Sequence, residues 1–335
     1  MTRIKIGGVV FAGSVTHALA LEKAGFNSVW IYDHLMHWSH QDAEKLPELC
    51  PMSLAILPLI ADKTAVPIGV SVICPLFRYH PAVLAQYFAQ VDYLWPGRLI
   101  LGIGTGEAMN EVPLLGHWPP YKERVERLIE AVDIIRQLWR SSDYINYEGK
   151  FYKIKNLRLN IRPKKEIPIV ISSTGPRSAR IAGKYGDGII ILACSPEKIK
   201  NDIIPKFAEG AQSAGKSPDD MLKVAWIMGG VIDPDVLGKI LKGLKRSFPW
   251  LNPKTLDEPD PKIIDKLSET ISDEEIFKVY PLVSNVEDLI DFLERYAKAG
   301  INYIVFYDFT TIVKRNPYKV HEMWSKKIFP YFKGQ

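Results

Sequence analysis

The feature that most restricts what this chain can fold into is an alternation. Short apolar runs recur at 4–11, 28–32, 68–74, 99–103, 167–171, 188–193, 222–232 and 303–307. Stretches with helical spacing separate most of them, at 15–24, 53–62, 81–93, 121–140, 178–185, 196–214 and 286–299. Apolar runs bounded by turn residues read as strands buried on both faces. Repeated strand–helix units force parallel pairing through right-handed crossovers. Eight such units predict an α/β fold, a closed (β/α)8 TIM barrel, with an open doubly wound sheet as the alternative. Two stretches break the rhythm. Residues 141–160 alternate around Glu148-Gly149 and predict a hairpin insertion. Residues 234–283, crowded with Pro, Asp and Lys, predict a helical insertion before the last unit. A terminal helix is expected after 307. No low-complexity linker divides the chain, so a single barrel domain over 1–335 is expected.

Composition excludes several partners. The net charge of +5 comes from Lys and Arg scattered over helices, so no nucleic acid is expected. No apolar run approaches the roughly 20 residues of a membrane span. Cys50, Cys74 and Cys194 are odd in number and far apart, which points to a reducing compartment. The N-terminal residues enter a strand-like run with no signal-peptide pattern. A cytoplasmic protein with a small-molecule substrate is the expectation.

In a barrel, chemistry gathers at the C-terminal strand ends. The second run ends in Asp33-His34, and His37, Trp38 and His40 follow. Three histidines at spacing three allow a metal reading, but a loop is a poor frame for one, and no metal is expected. Alternatively His34 is a general base, because imidazole titrates near neutrality. The fourth run breaks into Gly102, Gly104 and Gly106, followed by Glu107, Asn110 and Glu111. This fails as a dinucleotide fingerprint, since Glu107 stands where helix and strand must close and would face a pyrophosphate. The glycines instead predict a backbone open to a flat ring, with Glu107 at its polar edge. Ser71-Val72-Ile73-Cys74-Pro75 ends the third run. Ser172-Ser173-Thr174-Gly175 precedes a helix, as an anion site or an N-cap does, and Arg177 and Arg180 favour phosphate there.

Taken together, Tyr32-Asp33-His34 with Trp38, Phe77-Arg78-Tyr79-His80-Pro81-Ala82, and Gly104-Thr105-Gly106-Glu107-Ala108-Met109-Asn110-Glu111 resemble signatures of the luciferase-like oxidoreductases. The resemblance is to the branch that uses the deazaflavin coenzyme F420, with FMN as the alternative cofactor. Within it the chain is similar to the glucose-6-phosphate and secondary alcohol dehydrogenases, and more distantly to the methylene-tetrahydromethanopterin reductases. The FMN-dependent monooxygenases of the same fold are a further alternative. The resemblance implies a homodimer and a nonprolyl cis peptide at Ser71-Val72. It implies coenzyme contacts at Asp33, Ser71, Val72, Cys74, Gly104, Thr105, Gly106, Asn110 and Ser172, Ser173, Thr174 and Gly175. It puts catalytic groups at His34, Glu107 and Trp38. His34 is then the candidate base for a carbinol whose hydride leaves to C5 of the deazaflavin. Glu107 is the candidate coenzyme-side acid or the group that tunes His34, and Trp38 shields the site. The sugar-phosphate enzymes hold the phosphate with two lysines and an arginine. Ser195-Pro196 and Val279 stand at two of those positions, which leaves Lys254 near the third. An alcohol or another unphosphorylated carbonyl pair, sugars included, is therefore the expected substrate.

Overall fold

The computed structural model describes residues 4–46, 49–310 and 321–333. Its first half contains β1 (Lys5–Val9), α1 (Val15–Ala24), β2 (Ser28–Ile31), α2 (Ser53–Lys63), β3 (Ile68–Ile73), α3 (Pro81–Leu94) and β4 (Leu99–Ile103). Next come α4 (Ala108–Leu115), α5 (Tyr121–Arg140) and the antiparallel hairpin of β5 (Ile145–Glu148) and β6 (Lys153–Leu157). The alternation resumes with β7 (Ile169–Ser173), α6 (Pro176–Tyr185), β8 (Gly188–Leu192), α7 (Pro196–Lys198), α8 (Ile204–Ser213) and β9 (Leu222–Val231). A helical segment follows, comprising α9 (Pro234–Leu244), α10 (Pro261–Glu269) and α11 (Asp273–Val279). The chain then runs through β10 (Leu282–Val283), α12 (Val286–Lys298) and β11 (Tyr303–Asp308) to helical turns over Trp324–Ile328 and Phe329–Lys333. Part of the expected terminal helix, 311–320, lies outside the described residues.

Among the described residues, eight parallel strands close a ring in the order β1-β2-β3-β4-β7-β8-β9-β11. Closure rests on β9, which pairs with both β8 and β11, and on β11, which returns to β1. It excludes the open sheet. β10 pairs with β9 outside the ring and was not expected. Nor was α4, which starts directly after Glu107 at the end of the glycine stretch.

Two apolar layers hold the barrel. The outer one lies between strands and helices, with Leu101, Ile171 and Ile189 against Phe88, Ile135 and Phe207. The inner one fills the lumen with Val9, Trp30, Ile100, Val170, Ile190, Val224, Tyr303 and Val305. Trp30 is the largest of these and is fully buried. Its indole N–H donates to Ser28 Oγ at 2.7 Å, and Tyr303 donates to the same oxygen at 2.7 Å. The neighbouring strands make room for it. A Cβ on Gly69, its register partner on β3, would stand 2.2 Å from the indole, and one on Gly7 of β1 would stand 2.6 Å from Nε1. A rigid ring enclosed on every side cannot yield. Gly69→Ala is therefore expected to lower stability by about 1–3 kcal/mol. A fall in the urea midpoint at unchanged slope would show it.

Candidate active site

At the C-terminal ends of the strands lies a cavity of about 540 Å³. All of the expected residues line it: Asp33, His34 and Trp38 after β2; Ser71 and Val72 in β3 and Cys74 just after it; Gly104, Thr105, Gly106, Glu107 and Asn110 after β4; and Ser172 and Ser173 at the end of β7 with Thr174 and Gly175 after it. The Ser71–Val72 peptide is cis, as the resemblance implied.

Gly104 and Gly106 line the cavity, whereas Gly102 does not. A Cβ on Gly102 would stand 2.1 Å from the Val70 carbonyl oxygen, and one on Gly104 would stand 3.0 Å from both Val72 and Ser172 Oγ. The space they leave is taken by the irregular end of β3, where the register with β4 shifts between Val70 and Ile73. Gly106 has φ +79°, a left-handed turn that favours glycine, and packs against Cys74 and Glu111. These glycines let Val72 and Ser172 into the cavity wall.

Beneath the cavity floor a buried guanidinium ties three elements together. Arg78 pairs with Asp33 at 3.0 Å and with Glu111 at 3.3 Å, and both carboxylates are fully buried. Asp33 also accepts from the Ser53 amide at 2.8 Å and the Ser53 hydroxyl at 2.9 Å. Burial pushes the Glu111 carboxyl up, against the pull of Arg78. It also pushes the Cys74 thiol up, so this cysteine stays a thiol.

One residue above, Asn110 joins the two expected catalytic groups. Its Nδ2 lies 3.2 Å from His34 Nδ1 and 3.3 Å from Glu107 Oε2. Burial holds the His34 imidazole below its ordinary value, although Glu107 opposes this, so the ring is neutral near pH 7. Of the other two histidines, His37 stacks on Trp38 with its Nδ1 at Ser39, and His40 is exposed.

The helical segment closes the cavity. Trp38 donates its indole N–H to the Arg246 carbonyl at 2.9 Å. The Arg246 guanidinium meets Asp42 at 2.9 and 3.2 Å. Trp250 donates to Glu107 Oε1 at 2.8 Å. Asp257 accepts from Trp118 at 2.7 Å and from Arg124 at 3.1 Å. Ring contacts then run full circle around one end of the cavity, through Tyr32, His34, Trp38, Trp250, Trp226 and Tyr307, with centroids 5.4 to 6.5 Å apart. Trp226, Trp250 and Tyr307 were not singled out from the sequence. Trp226 and Tyr307 sit within apolar barrel strands, where a polar-edged aromatic is the available signal. Trp250 lies in the insertion and carries no local signal. Among the described residues the cationic groups of the lining are Arg78, Arg124 and Arg177. Arg177 stands beside the Ser172–Gly175 loop at the start of α6, whereas Arg180 turns away to Glu209 at 2.9 Å.

The Asp42–Arg246 pair generates a prediction. The Asp42 carboxyl is held below its usual range: its hydrogen bond and charge pairing with Arg246 outweigh the effect of burial. A depressed carboxyl stabilises above its unfolded value and ceases to as pH falls through the folded one. Limited proteolysis within 234–283 should accelerate as pH falls through that lowered value. Asp42→Asn should show the faster cleavage already at pH 7.

Comparison with known proteins shows the family. The model of the luciferase-like monooxygenase family matches residues 5–229. An F420-dependent glucose-6-phosphate dehydrogenase of Amycolatopsis mediterranei is 33% identical over 301 residues, 88% of this chain and 87% of the relative. That of Mycolicibacterium gilvum is 34% identical over 87% of this chain and 86% of the relative. Among solved structures, an F420-dependent secondary alcohol dehydrogenase in complex with an F420–acetone adduct superposes with a TM-score of 0.86 at 33% identity, covering 91% of this chain and 93% of the other. The F420-dependent tetrahydromethanopterin reductase of Methanopyrus kandleri, 20% identical with a TM-score of 0.74, shares the fold. The chain belongs to the luciferase-like family, in the branch of its F420-dependent dehydrogenases.

Proposed function

We infer that the protein is an F420-dependent dehydrogenase that transfers a hydride between the CH–OH group of an unphosphorylated alcohol and C5 of the deazaflavin. The observation that carries the choice of substrate is the closed aromatic ring around His34 and Glu107. Among the described residues no cation belongs to that ring. Arg78 is committed to two buried carboxylates, and Arg124 to Asp257. A sugar phosphate placed there would lose its charge-assisted contacts, each worth about 1.5–3 kcal/mol. A small apolar alcohol would instead bury its carbon skeleton against indole and phenol faces.

The lining fits the coenzyme. Ser71 Oγ and Trp226 Nε1 are buried at the cavity wall with no hydrogen-bond partner among the described residues, and such atoms call for a polar ligand. Ser71, Val72, Gly104, Thr105 and Gly106 would hold the ring system. Arg177 with the Ser172–Gly175 loop would hold its phosphate, at the positive end of α6. When bound, the deazaflavin supplies a two-electron hydride acceptor or donor at C5. His34 and Glu107 are the groups we assign to the substrate hydroxyl and its proton. Trp38, anchored to the Arg246 carbonyl, excludes water from that end. Asp33 and Cys74 support the floor.

We further read the protein as a cytoplasmic homodimer built on one barrel unit over 1–335. Its cysteines are free, as in a reducing compartment. Apolar Met52 and Leu59 near or on α2, with Val83 and Leu94 on α3, are exposed, and Tyr87 of α3 binds the Leu54 carbonyl at 2.5 Å. These adjacent faces support mutual contact.

Loss of the oxidised F420 absorbance should follow addition of small secondary alcohols and should not follow addition of sugar phosphates. Failure to bind F420, with tight FMN binding instead, would overturn the reading. Light scattering should return twice the chain mass, and Leu59→Asp with Val83→Asp should return one chain mass.

A further inference from the structure

We propose that His17 and His321 form an acid-operated latch, which seats the C-terminal segment 321–333 on α1 while both rings are neutral and frees it, loosening the cavity wall behind, when they are protonated. The inference is independent of the dehydrogenase reading. His17 is 9% exposed and His321 5%, and their ring centroids lie 5.2 Å apart. The Phe11 amide donates to His17 Nδ1 at 2.9 Å. A backbone amide only donates, so Nδ1 presents its lone pair and the hydrogen of the neutral ring sits on Nε2. That Nε2 and both ring nitrogens of His321 are buried with no hydrogen-bond partner among the described residues. The surroundings of the segment are aromatic. Phe26 packs on His321, Trp324 and Phe329, and Trp324 packs on Phe306 of β11.

A second proton on His17 has one place to go, Nδ1, where it would set donor against donor at 2.9 Å. A proton on His321 would bury a charge with no acceptor in reach, and two charged rings would repel at 5.2 Å. Among the described residues no carboxylate is placed to offset such a charge. Glu22 of α1 accepts from the Ala65 and Val66 amides, and Lys23 is exposed. Asp308 of β11 accepts from Thr310 and Trp324, and Glu294 of α12 pairs with Lys298. In the segment itself Glu322 pairs with Lys326, and Lys327 is exposed. Burial lowers both imidazoles to about 4, and His321 adds to the effect on His17. A released imidazole titrates near 6.5. Docking is therefore unaffected well above 6.5, weakens as pH falls below it, and weakens no further below about 4. The latch bears on the cavity through two neighbours of Tyr307, which lines it. Phe11 lies against Tyr307 with centroids 6.4 Å apart, and Asp308, next in β11, takes the Trp324 indole N–H at 2.8 Å.

Hydrogen exchange of the full, coenzyme-free chain, corrected for intrinsic rates, tests the latch. From pH 7 to pH 5 the 321–333 segment should lose protection by roughly 10-fold or more per ring, with the Phe11 amide in step, while β4 keeps its own. His17→Asn keeps an acceptor for the Phe11 amide and cannot titrate, and His321→Phe keeps a ring against Phe26. The double variant should hold both regions at pH 5. Wild-type protection unchanged down to pH 5, or an equal loss in the double variant, overturns the proposal. A Phe11 amide still protected when the segment is free overturns its link to the cavity. Should the double variant not fold, proton NMR of the wild type decides, with the two rings identified by their contacts to Phe26 and to each other. Both rings should stay neutral for as long as the segment is docked. Either ring titrating near 6.5 with the segment still docked overturns the latch.

Discussion

Everything at the mouth of this barrel depends on how Arg78 is held. It is a buried guanidinium between two buried carboxylates, Asp33 from the end of β2 and Glu111 from α4. Arg78 itself lies between β3 and α3. Ions taken out of water repay their desolvation only with good geometry and further hydrogen bonds, and breaking such a pair from one side is strongly destabilising. Here Ser53 and Tyr79 complete the shell of Asp33. The arrangement therefore locks the exits of β2 and β3 and the start of α4 relative to one another. Catalysis by positioning requires that kind of restraint.

The lock explains the placement of the chemistry. Glu111 and Asn110 are adjacent on α4, one engaging Arg78 and the other reaching His34 and Glu107. Because α4 is pinned through Glu111, Asn110 arrives with its amide already oriented by Leu35 and Met36. The helical segment then supplies what the barrel alone lacks. Trp250 brings a donor to Glu107 and completes the aromatic enclosure. Arg246 and Asp257 fasten that segment at two separate points of the rim. Variation in this segment is a direct route to new substrates on an unchanged barrel, as expected where function resides in loops on a rigid scaffold.

Much of this was legible in the chain. The boundaries of α1, β4 and α5 follow from periodicity alone, because each is framed by a turn, a glycine or a change of period. The number of strand–helix units left a closed barrel and an open sheet both possible, and the pairing of β9 and β11 decided between them. The candidate residues from 33 to 38, 71 to 74, 104 to 110 and 172 to 175 converge on one cavity because strand ends of a barrel must. What could not be read was anything set by contact between distant segments. Trp226 and Tyr307 look like core residues until the strands curve them toward Trp250. Gly102 looks like a floor for a ligand until β3 is seen to occupy the space.

The sequence by itself determined the strand–helix alternation, the strand ends where chemistry gathers and the residue types available there. Those properties depend on local hydrophobic period, turn chemistry and a chirality rule that holds for any such chain. Tertiary structure alone decided what each polar residue does. His34 meets an amide 76 positions away, and Glu107 is held by an indole 143 positions away. A hydrogen bond between such partners has no period to betray it, because its donor and acceptor meet only once the strands, the short helix and the helical segment have packed.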